Sequence, residues 1–251
     1  KNNSIRLSRI TQNKQEILII SGQLGVKSKP LTIYRSVGDP NLTTAHLLSA
    51  FLQQADISFN GKTRVEASPL SPTDSLLTQI ASDPLIHSLQ DMLFYSNNYI
   101  ADMLMLNLWR DNQTNFVASS VNLTDATQLL FPNYKTMLAT TNFITKDRDS
   151  LPVFKNASGL TPFNRLSAND LIILLEGMYK NKRDFPIYYG SLVMPGQQKI
   201  WRDLVTAQHP WMQWSSFKTG HISVPKSVYT IAGYFRLQNG DLGAFAVLFN
   251  A

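Results

Sequence analysis

The end of the chain constrains the fold most. Residues 227–250, SVYTIAGYFRLQNGDLGAFAVLFN, carry two β-rich runs on either side of Gln238-Asn239-Gly240-Asp241. Asn-Gly favours a tight primed turn, so these runs predict an antiparallel hairpin. Earlier segments also read as strands: EILIISG at 16–22, ended by Gly22; LTIYRSV at 31–37, stopped by Gly38-Asp39-Pro40; and GKTRVEA at 61–67. Between the strand-rich ends the apolar spacing turns helical. NLTTAHLLSAFLQQA at 41–55 sets Leu47, Leu48, Phe51 and Leu52 on one stripe, with Asn41 or Thr43 as cap. Two helices follow a Pro/Ser linker at 68–74. The first has Asp83 as cap, Pro84 in its first turn and a face of Leu85, Leu89, Met92 and Leu93. The second has a face of Ile100, Met103, Leu104 and Leu108. Residues 121–140 read as helix, and another helix is capped near Ser167. Strands at both ends with helices between predict an α/β (α+β) fold, a mainly antiparallel sheet with a helical cluster against it.

Two polar features stand out. Tyr95-Ser96-Asn97-Asn98 interrupts the apolar region between the two middle helices. In SSFKTG, residues 215–220, Lys218 closes two patterns. Ser215-Ser216-Phe217-Lys218 is an S-x-x-K, the pattern of a serine nucleophile with a lysine one helical turn on. Lys218-Thr219-Gly220 is a K-T-G, which accompanies such a serine in serine acyl-transfer enzymes. The surroundings, WMQWSSFKTGHISV, are rich in aromatic and β-favouring residues. On a strand, residues three apart face opposite ways. Ser215 then cannot reach Lys218, and the K-T-G reading stands. No S-x-x-K is read beyond this one; Ser8, Ser21, Ser28, Ser49 and Ser75, for example, have no lysine at the third following place.

Ser96-Asn97-Asn98 is an S-x-N. With K-T-G downstream and a hairpin closing the sheet, the chain resembles the penicillin-binding proteins, in particular the class C low-molecular-mass D-alanyl-D-alanine carboxypeptidase/endopeptidases. Four segments carry the likeness beyond the short motifs. RSVGDPNLTTAHLLSAFLQQADISFNGK is similar to the family's Asp-Pro, helix and strand entry. MLFYSNNYIADMLMLNLW resembles its S-x-N helix pair, including the acidic residue after the motif. NASGLTPFNRLSANDLIILL resembles its Gly-Ser-Gly-Leu loop and Asn-Arg-Leu-Ser helix start. IAGYFRLQNGDLGAFAVLFN resembles its closing hairpin. Together they cover most of residues 30–250.

The resemblance implies a β-lactamase/transpeptidase-like fold and assigns roles. Ser96 matches the serine that relays protons to the leaving amine, and Asn98 the amide that holds the substrate backbone. Lys218 and Thr219 match the pair that binds the substrate's terminal carboxylate. Gly220 keeps the strand clear of side-chain bulk. His221 departs from the family's small or hydroxylated residue, and either narrows the entrance or adds a titrating group. Ser158, in NASGL, would border the site. The family's nucleophile segment, with its own S-x-x-K, is expected to lie ahead of this chain. The fold is then expected to be incomplete on its N-terminal side, with 1–30 the end of an accessory insertion or strand region. Residues 31–251 would be the C-terminal portion of the DD-peptidase domain, inactive alone. The implied partners are peptidoglycan peptides ending in D-Ala-D-Ala and, for the complete enzyme, β-lactams. No cofactor or metal is implied, and the implied location is the periplasm or cell envelope.

Composition narrows the alternatives. The 251 residues are 43% hydrophobic and 16% charged, enough for one large domain or two small ones. The lack of cysteine excludes disulfides, zinc thiolates and a cysteine nucleophile. No apolar run has the length of a membrane span. Lys1-Asn2-Asn3-Ser4 has no apolar signal-peptide core, so the chain reads as cytosolic or as a mature or excised piece of an exported protein. The net charge of +6 is spread out, and its densest cluster, Lys180-Asn181-Lys182-Arg183, reads as a solvated loop. That argues against nucleic acid as a partner. His46, His87 and His209 lack metal-ligand spacing. Sequons at Asn2, Asn41, Asn112, Asn122 and Asn156 read as accidents of composition. Trp201, Trp211 and Trp214 read as core packing or as the border of a glycan groove. Ser96 and Asn98 also read as helix caps, Lys218 as a solvated strand charge and Ser158 as a turn serine. The non-enzymatic alternative is a wall-peptide binding or interaction module with a degenerate site.

Overall fold

The computed structural model describes residues 4–12, 15–33, 35–65, 73, 75, 78–112, 122–140, 151–195, 197 and 213–250. Trp201, Trp211, His209, Asn2 and nearly all of the linker at 68–74 lie outside them. The chain divides into two compact units, Lys1–Ser75 and Leu76–Ala251.

In the first unit, β1 (Ser4–Gln12) and β2 (Gln15–Gln23) pair antiparallel, with Ser4 opposite Gln23. The EILIISG run is a strand, but Gly22 lies inside it rather than ending it. Its φ is +121°, and a Cβ there would run into the Ser4 carbonyl. Residues 31–33, 35–37 and 61–65 are not strands. High β-propensity makes no strand without a partner edge, and side chains fix the first segment instead. Arg9 Nη1 donates to Ser36 O, and Glu16 Oε2 accepts the Gly38 N–H at 3.0 Å. Helix α1 (Pro40–Gln54) is capped by Asp39, whose Oδ1 accepts the Leu42 N–H at 2.9 Å. Pro40 occupies the first helical position, where a missing N–H costs nothing. That makes the preceding Asp39 the cap and puts Asn41 and Thr43 inside the helix.

The second unit holds α2 (Leu85–Tyr95), α3 (Asn98–Asp111), α4 (Leu123–Ala126), a 3-10 turn (Thr127–Leu129), α5 (Leu130–Thr140), α6 (Ala168–Lys180) and α7 (Phe185–Ser191). The strands β3 (Ser215–Ile222), β4 (Val228–Arg236) and β5 (Leu242–Asn250) form an antiparallel sheet in that order. The α+β class with antiparallel sheets and flanking helices is as expected. The closing hairpin is present, but its turn is not a tight primed one. Within residues 237–241 only Gly240 takes a positive φ, +90°, whereas a type I′ turn needs two such residues. Asn239 instead bonds Asp241 through both its amide atoms.

The core lies where Tyr234 of β4 meets Leu175 of α6 and Leu192 after α7. Phe185, Tyr188 and Tyr189 stand edge-on around Tyr234 or tilted to it, with centroids 5.3, 6.4 and 5.8 Å away. The Tyr234 hydroxyl donates to Leu175 O at 2.7 Å. Helix α6 begins with a capping box between Ser167 and Asp170. In α3 the buried residue is Met105, while Met103 and Leu108 are exposed. The inward stripe is rotated by about one residue from the expected face, because α3 packs on α4 and the 3-10 turn. Leu85 of α2 is also exposed, Pro84 occupies its N-cap with no side-chain cap bond, and Asp83 is not the cap. No helix among the described residues is long and apolar enough to cross a membrane.

Candidate active site

Ser96 owes its place to the break between α2 and α3. It is the C-cap of α2, with a left-handed backbone (φ 53°, ψ 48°) and its N–H bonded to Met92 O. A non-glycine residue held there stores about 1–2 kcal/mol of strain. Asn97 turns the chain into α3, its Oδ1 accepting the Ile100 N–H at 3.2 Å. The N-cap is therefore Asn97, and neither Ser96 nor Asn98 serves as one. Asn98 is the first residue of α3 and is exposed.

This division of labour leaves the Ser96 hydroxyl available to a distant partner. Lys218 Nζ donates to Ser96 Oγ at 2.7 Å and to its neighbour's carbonyl, Thr219 O, also at 2.7 Å. Lys218 lies on β3, an edge of the three-stranded sheet. Strand alternation puts Ser215 on the opposite face from Lys218, and Ser215 is buried. The S-x-x-K at 215–218 therefore cannot close. Leu93 and Phe94 from the last turn of α2, with Val193 and Phe217, wall a cavity of about 30 Å³ beside Ser96, Lys218 and Thr219. Such a space holds about one water. Partial burial pulls the Lys218 ammonium below the usual lysine value.

Over residues 4–251 the chain matches the D-Ala-D-Ala carboxypeptidase 3 (S13) family. It belongs to this family. A comparison with curated proteins returns no match. The family is one of peptidases acting at D-Ala-D-Ala termini.

Within this carboxypeptidase chain, Ser96, Lys218 and Thr219 share the cavity, while Asn98, Gly220, His221 and Ser158 do not line it among the described residues. Gly220 follows on β3, where a Cβ would lie 2.6 Å from Thr230 Oγ1. Its smallness thus already serves the packing of β3 on β4. His221 is on the face opposite Lys218 and stacks on Tyr229 at 4.4 Å, with 11° between the rings. Ser158 belongs to a loop that Asp102 of α3 holds by its backbone. Asp102 is the acidic residue that follows the S-x-N in the sequence, and the motif gave it no role.

The sequence holds more of both patterns than expected, and the reading of no S-x-x-K beyond 215–218 is corrected. Ser223-Val224-Pro225-Lys226 is a further S-x-x-K. It lies in the irregular connection from β3 to β4, so no helical turn brings its lysine back to its serine. Ser58-Phe59-Asn60, Ser120-Val121-Asn122 and Ser167-Ala168-Asn169 repeat the S-x-N pattern; Ser120 lies outside the described residues, and among those described Lys218 bonds the serine of Ser96-Asn97-Asn98. Trp214 is half exposed rather than core, bordering an open cavity of about 370 Å³ with Tyr189, Met194 and Arg236. The cation cluster at 180–183 is internally partnered. Lys180 pairs with Glu176, Arg183 with Asp184, and Lys182 lies over the Tyr179 ring.

Proposed function

We propose that this chain carries the proton-relay and substrate-binding half of a serine-type D-Ala-D-Ala carboxypeptidase/endopeptidase, working through an acyl-enzyme on peptidoglycan stem peptides. The observation that carries the reading is the 2.7 Å hydrogen bond from Lys218 Nζ to Ser96 Oγ, which joins the S-x-N to the K-T-G. Because Lys218 donates to Ser96 Oγ, the serine's own hydrogen is directed elsewhere. Ser96 passes that proton to the leaving amine and takes one from Lys218, which is left as the neutral amine until solvent returns its proton. The lowered pKa of Lys218 eases that donation. Lys218 and Thr219 receive the terminal carboxylate of the substrate by charge-assisted hydrogen bonds. Phe217 directs both its N–H and its C=O outward to Val193. Alternation then directs the peptide groups of Thr219 and His221 outward too, beyond that crossing. Substrate pairs along this edge beside Gly220, with Asn98 holding its backbone and Ser158 at the border. The nucleophile comes from a segment other than these residues, and 31–251 form the later portion of the DD-peptidase domain after an accessory region. Such an enzyme is exported to the cell envelope and is acylated by β-lactams.

The test uses intact-protein mass spectrometry with benzylpenicillin, and D-alanine release from a D-Ala-D-Ala peptide. Residues 1–251 alone are expected to gain no penicillin mass. The full-length protein is expected to gain one penicillin and to release D-alanine, and Lys218→Ala should lower that release at least 100-fold. Acylation within residues 1–251, or full activity in Lys218→Ala, would overturn the reading.

A further inference from the structure

The loop carrying Ser158 is built to keep its own shape. Its ends are joined by the Val153–Arg165 bridge. Asn164 Oδ1 accepts the Lys155 N–H at 2.7 Å, and Asn164 Nδ2 donates to Asn156 Oδ1 at 3.1 Å. Asn156 Oδ1 also accepts the Gly159 N–H at 3.1 Å, helping to hold that glycine at φ +78°. Thr127 Oγ1, whose one hydrogen is shared between Thr124 O at 2.7 Å and Phe154 O at 2.9 Å, lies against the base. These bonds leave the tip shaped but not placed. Placement comes from one carboxylate oxygen, Asp102 Oδ1, which accepts the N–H groups of Ala157 at 3.1 Å and Ser158 at 2.9 Å. Two successive N–H groups converging on one anion make a charge-assisted cradle.

Asp102 lies four residues after Asn98 on α3, so the two share a helix face one turn apart. The same tip carries a poised donor. Ser158 Oγ accepts from Asn156 Nδ2 at 3.1 Å and from the Leu160 N–H at 3.3 Å. Both bonds run into the oxygen, so the hydroxyl's own hydrogen has no acceptor among the described residues.

Taking the proposed active site as its basis, we infer that Asp102 is a positioning residue. It holds the 156–160 tip on the face of α3 that bears Asn98, so that the Ser158 hydroxyl donates to the same bound peptide that the Asn98 amide holds. Asp102 touches no substrate and acts through Ser158.

The experiment combines amide hydrogen exchange with a double-mutant cycle in the full-length enzyme. Asp102→Ala is expected to speed exchange in the peptide containing Ala157 and Ser158, while Asp102→Asn, which keeps an oxygen acceptor, largely restores protection. Ser158→Ala and Asp102→Ala are each expected to lower kcat/KM for D-alanine release about tenfold. The double variant should be no worse than about tenfold, since both changes remove one contact. A scaffold role alone would not produce that non-additivity. Losses that multiply to about a hundredfold, or an Asp102→Ala enzyme with unchanged kcat/KM, overturn the inference alone. Release unmoved by Lys218→Ala overturns the active-site reading, and this inference with it.

Discussion

Ser96 and Ser167 both open an S-x-N tripeptide that leads into a helix, yet their hydroxyls have opposite fates. Ser167 has extended backbone (φ −93°, ψ 165°) and is the N-cap of α6. Its Oγ accepts the Asp170 N–H at 3.2 Å and donates to Asp170 Oδ2 at 2.8 Å. Ser96 stands one residue earlier relative to its helix. Asn97 does the capping, Ser96 takes the left-handed turn, and its hydroxyl meets Lys218. The tripeptide is common to both, so the difference teaches that cap position decides whether such a serine serves the backbone or a site. Strain accompanies the second arrangement and not the first, as expected where a side chain is placed for chemistry.

The sharpest way to break this comparison is to remove each hydroxyl. Ser96→Ala in the full-length enzyme is expected to lower kcat for D-alanine release by about 100- to 10,000-fold. Ser96→Gly should be equally inactive yet more stable than Ser96→Ala by about 1 kcal/mol, because glycine accepts the left-handed backbone. Steady-state kinetics and urea unfolding read the two effects. An active Ser96→Ala enzyme would make Ser96 a turn residue like any other.

At the other serine the expected effect is on stability. The Asp170 carboxylate is buried and gathers the Ser167 N–H at 2.7 Å, the Ser167 hydroxyl and the Tyr134 hydroxyl at 2.6 Å. Tyr134→Phe removes one donor from a buried acceptor and is expected to cost about 1–3 kcal/mol. Ser167→Ala is expected to cost about 1 kcal/mol as a lost cap. Chemical denaturation checks both, and kcat should stay within about threefold. A Ser167→Ala enzyme that folds normally but loses catalysis would erase the contrast with Ser96.

What was legible in the sequence follows local physics. The β4–β5 pair, β2, the break at Ser96 and the cap at Ser167 are written in short-range patterns. Proline at the first position decided the cap of α1, and a one-residue rotation of α3 replaced Leu108 with Met105 as its inward residue. Those outcomes depend on neighbours that periodicity does not see. The segments at 31–33, 35–37 and 61–65 carry β-rich residues but pair with no strand among the described residues. At the site, order along the chain pointed to Ser96 and Lys218, and the fold brings them together. The role of Asp102 escaped because its contacts to Ala157 and Ser158 cross between segments far apart in sequence. His221 was read by position alone, and alternation turned it onto Tyr229.

The smallest expected effect concerns pH, and it separates Lys218 from the partnered cations at 180–183. Burial lowers the Lys218 pKa from its ordinary 10.5. Below the folded-state value both folded and unfolded chains hold the proton, and Lys218 adds no pH dependence. Between that value and 10.5 the unfolded chain holds more protons than the folded one, so unfolding free energy rises with pH. Replacing Lys218 by methionine removes this contribution while keeping an apolar stem at the cavity that Leu93 and Phe94 also line. The stability difference, wild type minus Lys218→Met, is therefore expected to increase as pH climbs toward 10.5 and to be flat at lower pH. Urea midpoints measured for both proteins across that range test it. A difference that shrinks toward 10.5 would mean that the Ser96 and Thr219 acceptors hold Lys218 more strongly charged than burial opposes, and its proton would then be poorly suited to transfer.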